Sequence, residues 1–145
     1  MKLFITLSLS AVFILSAAHP AAACLCLARS VSQKKKDAAA VFMGTVVENE
    51  KEINDSGISY RIKFTVERSW KNAEVSEIIV YTRGGCLAWF EVGKKYLVYA
   101  YAKKEKGLLG ADMCSVARLA DLSAKDLKRL GNGKAITAST IDSIK

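Results

Sequence analysis

The chain has 145 residues, enough for one domain, with 51% apolar and 25% charged residues. That apolar share excludes an intrinsically disordered chain. Lys and Arg number 22 against 14 Asp and Glu, a formal charge of +8 that favours anionic partners.

Residues 1–23 read as a secretory signal: Lys2, an apolar run from Leu3 to Ala18, then Ala21, Ala22 and Ala23 as the small residues of a cleavage site. Cleavage after Ala23 makes Cys24 the first mature residue, and lipidation of Cys24 is the alternative processing. The expected location is secreted or periplasmic. His19 and Pro20, the one His and one Pro of the chain, both fall in this segment. The mature chain then has no imidazole for a Ser-His or Cys-His nucleophile pair, a general base or a metal ligand. Asp112 and Asp121 form no paired arrangement and Glu91, beside Trp89 and Phe90, reads as a surface loop residue, so neither an enzyme nor a cofactor is expected.

Ser30 to Ala38 predicts a short helix, and Lys34, Lys35 and Lys36 on it form a charged face. Ala39 to Val47 predicts a strand apolar on both faces, with Gly44 marking a bulge or tight bend. Residues 49–57 are polar and read as a connection ending in a turn. Ile58, Tyr60, Ile62, Phe64 and Val66 alternate with polar residues, which predicts a strand with one buried face. Trp70 is expected to plug the core beyond it. Glu77 to Thr82 is a third strand, Gly84 and Gly85 a break, Tyr96 to Ala102 a fourth strand and Leu108 to Ser115 a fifth segment. Trp89 and Phe90 are expected to cover one end of the core, with an exposed aromatic patch as the alternative.

Ser123 predicts a helix N-cap with Asp126 at the third helical position. Leu122 would staple onto Leu127, and Gly131 would stop the helix. Residues 132–145 read as a frayed polar tail. The fold expected for 24–131 is mainly β: a five-stranded OB-like closed barrel with short flanking helices, since closure removes exposed strand edges.

The four Cys are Cys24, Cys26, Cys86 and Cys114. A Cys24–Cys26 bridge would close a very small ring, which disulfide geometry disfavours. Two pairings remain, Cys24–Cys86 with Cys26–Cys114 or the crossed alternative. Either ties the mature N-terminus to two distant segments, each worth about 4–5 kcal/mol in the chain-entropy account.

The succession of a post-cleavage C-L-C, V-F-M-G-T-V-V, the long I-S-Y-R-I-K-F-T-V-E-R-S-W-K strand, G-G-C, K-K-Y-L-V-Y-A-Y and a late M-C-S resembles the netrin-like module. Within it the pattern is similar to the N-terminal inhibitory domain of the tissue inhibitors of metalloproteinases. The resemblance spans about 24–131. It implies an OB-like barrel, a Cys24–Cys86 bond and a Cys26–Cys114 bond. It also implies a zinc metalloprotease as partner. Cys24 would chelate the target's catalytic zinc through its α-amine and carbonyl oxygen. Leu25 would enter the specificity pocket, and Cys26, Leu27, Gly85 and Cys86 would complete an inhibitory ridge. Ala28 stands where such inhibitors often carry Pro, and a third disulfide has no Cys to form it.

The charge carries a second expectation, a binding module without inhibitory action. Lys34, Lys35, Lys36, Lys94, Lys95, Lys103, Lys104 and Lys106 would form a basic surface for an anionic polysaccharide or a membrane surface. A monomer is expected, and an exported chain is not expected to meet nucleic acid.

Overall fold

The structure is a computed structural model that describes residues 24–54, 57–105, 107–115 and 117–137. Residues 1–23, read above as a secretory signal, Lys106 and the tail beyond 137 lie outside the described residues.

The described chain is mainly β. In order it forms helix α1 (Val31–Asp37), strands β1 (Ala40–Asn54), β2 (Gly57–Lys71), β3 (Glu77–Arg83), β4 (Lys95–Ala102), β5 (Leu109–Gly110) and β6 (Ala117–Leu119). A 3-10 turn (Ala120–Ser123), helix α2 (Ala124–Leu130) and strand β7 (Lys134–Ala135) follow. Antiparallel pairings join β1 to β2, β2 to β3, β4 to β5 and β1 to β4, and a parallel pairing joins β3 to β5. These five strands therefore close into a hydrogen-bonded ring. β6 adds to β4 and β7 to β2, so the described residues hold two short strands beyond the five expected.

β1 pairs with β2 along one edge and, over Ala40 to Thr45, with β4 along the other. Its register against β2 shifts between Met43 and Gly44, the bulge that the glycine predicts. A Cβ at Gly44 would stand 2.6 Å from the Thr65 carbonyl oxygen, so no larger residue fits without moving backbone.

Inside the ring, Phe42 and Phe64 meet edge to face at 5.3 Å, as do Phe64 and Phe90, and Phe90 lies 5.0 Å from Tyr96. Such edge contacts add about 0.5–1.5 kcal/mol each beyond burial. Tyr96 keeps its polar end satisfied by accepting the Glu91 N–H at 3.0 Å. Ile62, Val66, Val80, Val98 and Ala111 fill the remaining space.

A second, smaller core lies outside the ring. Val41, Leu97 and Tyr99 face outward, and Ala38, Trp70, Leu127 and Leu130 cover them. β4 is thus buried on both faces from Tyr96 to Ala100, which explains its nearly continuous apolar sequence.

The short helix expected over Ser30 to Ala38 forms, and Ser30 caps it, its Oγ accepting the Gln33 N–H at 3.2 Å. Other expectations need correction. β1 runs on to Asn54 through the stretch read as a connection. Its polar side chains form a cross-strand ladder: Arg61 meets Glu50 at 3.1 Å, and Lys63 meets Glu48 at 3.2 Å. Ile58 is exposed because β2 there extends beyond the ring's core. Trp70 is half-buried in the outer core, with its Nε1–H donating to the Gly131 carbonyl at 2.9 Å. The fifth segment shrinks to Leu109–Gly110 before the chain turns at Asp112.

The capping box does not form. The Ser123 hydroxyl donates to the Leu119 carbonyl at 3.0 Å, and Asp126 is engaged by Lys34 and Tyr99. Leu122 is 71% exposed, so the staple onto Leu127 is not made. Gly131 does end α2, at a φ of 74°. The start of the supposed tail is ordered: β7 pairs with Ser69 and Arg68, and Ile136 reaches the inner core.

Candidate functional site

Cys24 is bonded to Cys86 and Cys26 to Cys114. The two anchoring loops touch each other. Met113 N–H donates to the Cys86 carbonyl at 3.1 Å, and Leu87 pairs with Asp112 in an isolated bridge. The Cys-Leu-Cys segment therefore straddles a seam between two loops that are themselves joined. Persistent disulfides point to a non-cytoplasmic location.

Both loops are internally braced. Gly84, at a φ of 88°, turns the chain out of β3. The Thr82 hydroxyl then accepts the Ala88 N–H at 3.1 Å. On the other loop, Asp112 Oδ1 accepts the N–H groups of Cys114 and Ser115 in a side-chain-to-backbone turn. Asp112 is thus spent on holding Cys114 in place. Asp121 and Glu91 are exposed residues of the 3-10 turn and the loop before β4.

Between its two anchors Leu25 is 89% exposed, and Leu27 is 74% exposed. Exposing two leucines costs hydration free energy, and their tethered neighbours prevent the segment from folding back to bury them. Gly85 is exposed beside them, its carbonyl oxygen 3.5 Å from Cys24 Sγ. The structure thus brings Cys24, Leu25, Cys26, Leu27, Gly85 and Cys86 into one ridge. Behind this ridge lies a cavity of about 360 Å³ that reaches Arg29, Lys34, Tyr99 and Tyr101. Its charged groups are already matched: Arg29 meets Asp37 at 2.9 Å, and Lys34 meets Asp126 at 3.1 Å. Burial and the neighbouring Asp126 carboxylate push the Tyr99 phenol well above its usual range.

Trp89 and Phe90 divide between the two roles foreseen for them. Phe90 is 4% exposed and covers one end of the core, while Trp89 is 77% exposed and leans on Tyr60 at 6.3 Å.

The predicted lysines do not form one surface. Lys94 and Lys95 sit at the start of β4, and Lys103 and Lys104 lie beyond its end, roughly 25 Å away at the strand rise. Lys95 is paired with Glu67 at 2.6 Å. Burial opposes the charge on Glu67, but hydrogen bonds from Lys95 and Thr45 outweigh it and hold the carboxyl below its ordinary value. Lys103 lies over the Tyr81 ring at 5.0 Å. Lys34 is turned toward Asp126 and the Tyr99 ring.

Lys35 and Lys36 find different company. α1 packs beside α2, which carries Lys125, Lys128 and Arg129. The last three were missed by sequence reading because they lie some ninety positions away on a helix read for its caps and its leucines. Their spacing, which puts all three on one helical face, was the available signal.

Among the described residues no three His, Cys, Asp or Glu side chains converge as a metal-holding group, and no helix is long and apolar enough to cross a membrane. No protein-family model matches this chain, and no curated protein matches it.

Proposed function

We propose that this chain is an exported inhibitor of zinc metalloproteases, built on an OB-like barrel of the netrin-like kind and acting through its mature N-terminus. The observation that carries this reading is the doubly anchored Cys-Leu-Cys segment, with Leu25 89% exposed between the two disulfides. The ring order, with β1 pairing to both β2 and β4 and β3 running parallel to β5, supports the barrel.

After cleavage behind Ala23, the Cys24 amine is a primary α-amine. Its ordinary pKa of about 7.7–8.0 lets it lose a proton at neutral pH at small cost. The amine nitrogen and the carbonyl oxygen of one residue form a five-membered chelate with a metal. A catalytic zinc keeps one position for water or substrate and can expand to five-coordinate, so the amine and the carbonyl oxygen would together displace the water and take the two positions. The proton leaves from nitrogen as the zinc bond forms. Leu25 follows immediately and offers an apolar side chain to the adjoining specificity pocket. The disulfides remove most of the ordering cost that a flexible N-terminus would incur on binding. Gly85 beside the ridge presents backbone rather than a side chain, which lets a protease rim approach closely.

The test is an inhibition assay of the processed protein against a panel of zinc endopeptidases and, as a control, serine proteases. Inhibition confined to zinc enzymes and competitive with substrate is expected. Inactivity against every zinc enzyme, or equal inhibition of serine proteases, would contradict the proposal.

A further inference from the structure

We infer that the α1–α2 face carries a binding groove for an acidic polysaccharide. A groove of about 340 Å³ lies between the two helices, lined by Ser30, Val31, Ser32, Lys35, Arg129 and Leu130. Lys35 and Arg129 flank it from different helices, and neither has an ion-pair partner among the described residues.

The neighbouring acids are engaged elsewhere. Asp37 is held by Arg29 at 2.9 Å and by Gln33 at 2.8 Å, and Asp126 by Lys34 at 3.1 Å and Tyr99 at 3.2 Å. Asp121, on the turn before α2, is the remaining acid near this face. Lys36 on α1 and Lys125 and Lys128 on α2 add positive charge to the same two helices. The Lys71 ammonium sits against the carbonyls of Lys35 and Lys36 and adds positive charge beneath the end of α1. The local field is therefore strongly positive and not internally neutralised.

The shape favours a sugar chain over a bilayer. The cations stand on the walls of a recess, and its lining includes Val31 and Leu130 together with the Ser30 and Ser32 hydroxyls. A pyranose ring has an apolar C–H face, hydroxyl edges and, in acidic polysaccharides, sulfate or carboxylate groups, which match these three kinds of contact. A guanidinium is suited to such oxyanions because it presents paired donors in one plane. Membrane docking would call for apolar side chains projecting beyond the cations. This inference does not depend on protease inhibition. Lys34 faces the cavity behind the Leu25 ridge, and Lys35, the next residue of α1, faces the groove.

The test uses heparin as a model sulfated polysaccharide in titration calorimetry, with the processed protein at two salt concentrations. Binding is expected to weaken about tenfold or more between low and physiological salt, as contacts to a polyanion release counterions. The K35Q/R129Q variant should bind at least about tenfold more weakly, whereas K94Q/K104Q, with the same change in net charge, should bind within about twofold of wild type. Arg129→Gln alone gives a second reading at an exposed position whose loss leaves the core untouched. Equal losses in the two double variants would show charge attraction without a groove and overturn the inference. So would an absence of heparin binding, or tight sedimentation with phosphatidylglycerol vesicles that exceeds binding to heparin.

Discussion

One alanine added ahead of Cys24 is expected, on the proposed zinc-chelating mechanism, to raise the inhibition constant against a susceptible zinc protease by at least about a thousandfold, roughly 4 kcal/mol. The extension converts the α-amine into an amide nitrogen, which does not bind zinc at neutral pH. It also places a residue where the metal must stand. Nothing else need change: the added residue bonds only to the Cys24 nitrogen and leaves both disulfides and the Leu25 side chain intact. Thermal melting of the extended protein should match that of the processed form, which separates loss of the zinc contact from loss of the fold. Inhibition constants for the two forms, measured side by side, decide the matter. Equal potency would show that the chain acts through some other surface.

Replacing both Cys26 and Cys114 by Ala costs roughly 3.5 kcal/mol of stability and lowers the melting temperature by about 15 °C. The Cys26–Cys114 bond spans 88 positions, but Cys24 remains tied to Cys86 in this variant. The path through that remaining crosslink leaves an effective loop of only about 30 residues, so the entropic loss is smaller than the full span would give. Removing both bonds should cost more than either single loss. Function should suffer beyond the stability change. With Cys26 free, the Leu25 segment is anchored on one side only and regains the conformational freedom that binding must then remove. Calorimetric melting and inhibition at a temperature where the variant is still folded test the two parts separately.

The sequence made the inner strand β2 legible because Ile62, Phe64 and Val66 alternate with polar residues that face water. β1 was only half legible. Its first half has an apolar run and a glycine at the bulge, but its second half holds no apolar stripe. That half exists because Glu48 and Glu50 stand opposite Lys63 and Arg61, a relation between two segments that no single window displays. The capping box at Ser123 failed for a similar reason. Asp126 has a stronger use, bridging Lys34 from α1 and Tyr99 from β4, and a local motif cannot report distant competitors. Ile136 shows the limit for short elements: it follows a strand of only two residues, too short to display a periodicity, yet it docks on the inner core.

The candidate site divides along the same line. The cysteine spacing announced a tethered N-terminus and the resemblance a ridge there, while the residues alone left two disulfide pairings open. The structure contains Cys24–Cys86 and Cys26–Cys114 because the loops after β3 and β5 lie side by side across the parallel β3–β5 contact. Charge counting found the basic character but not its location. Lys95 and Lys103 are occupied within the fold, and Arg129, which shares the groove with Lys35, comes from a helix some ninety positions further on.

The most direct measurement is the intact mass of the protein recovered outside the cytoplasm. The account predicts the mass of residues 24–145 less four hydrogens, with no acyl, lipid or formyl addition on the first residue. A chain that begins upstream of Cys24, or one that carries a modified Cys24, would have no amine to offer a zinc ion and would contradict the central claim.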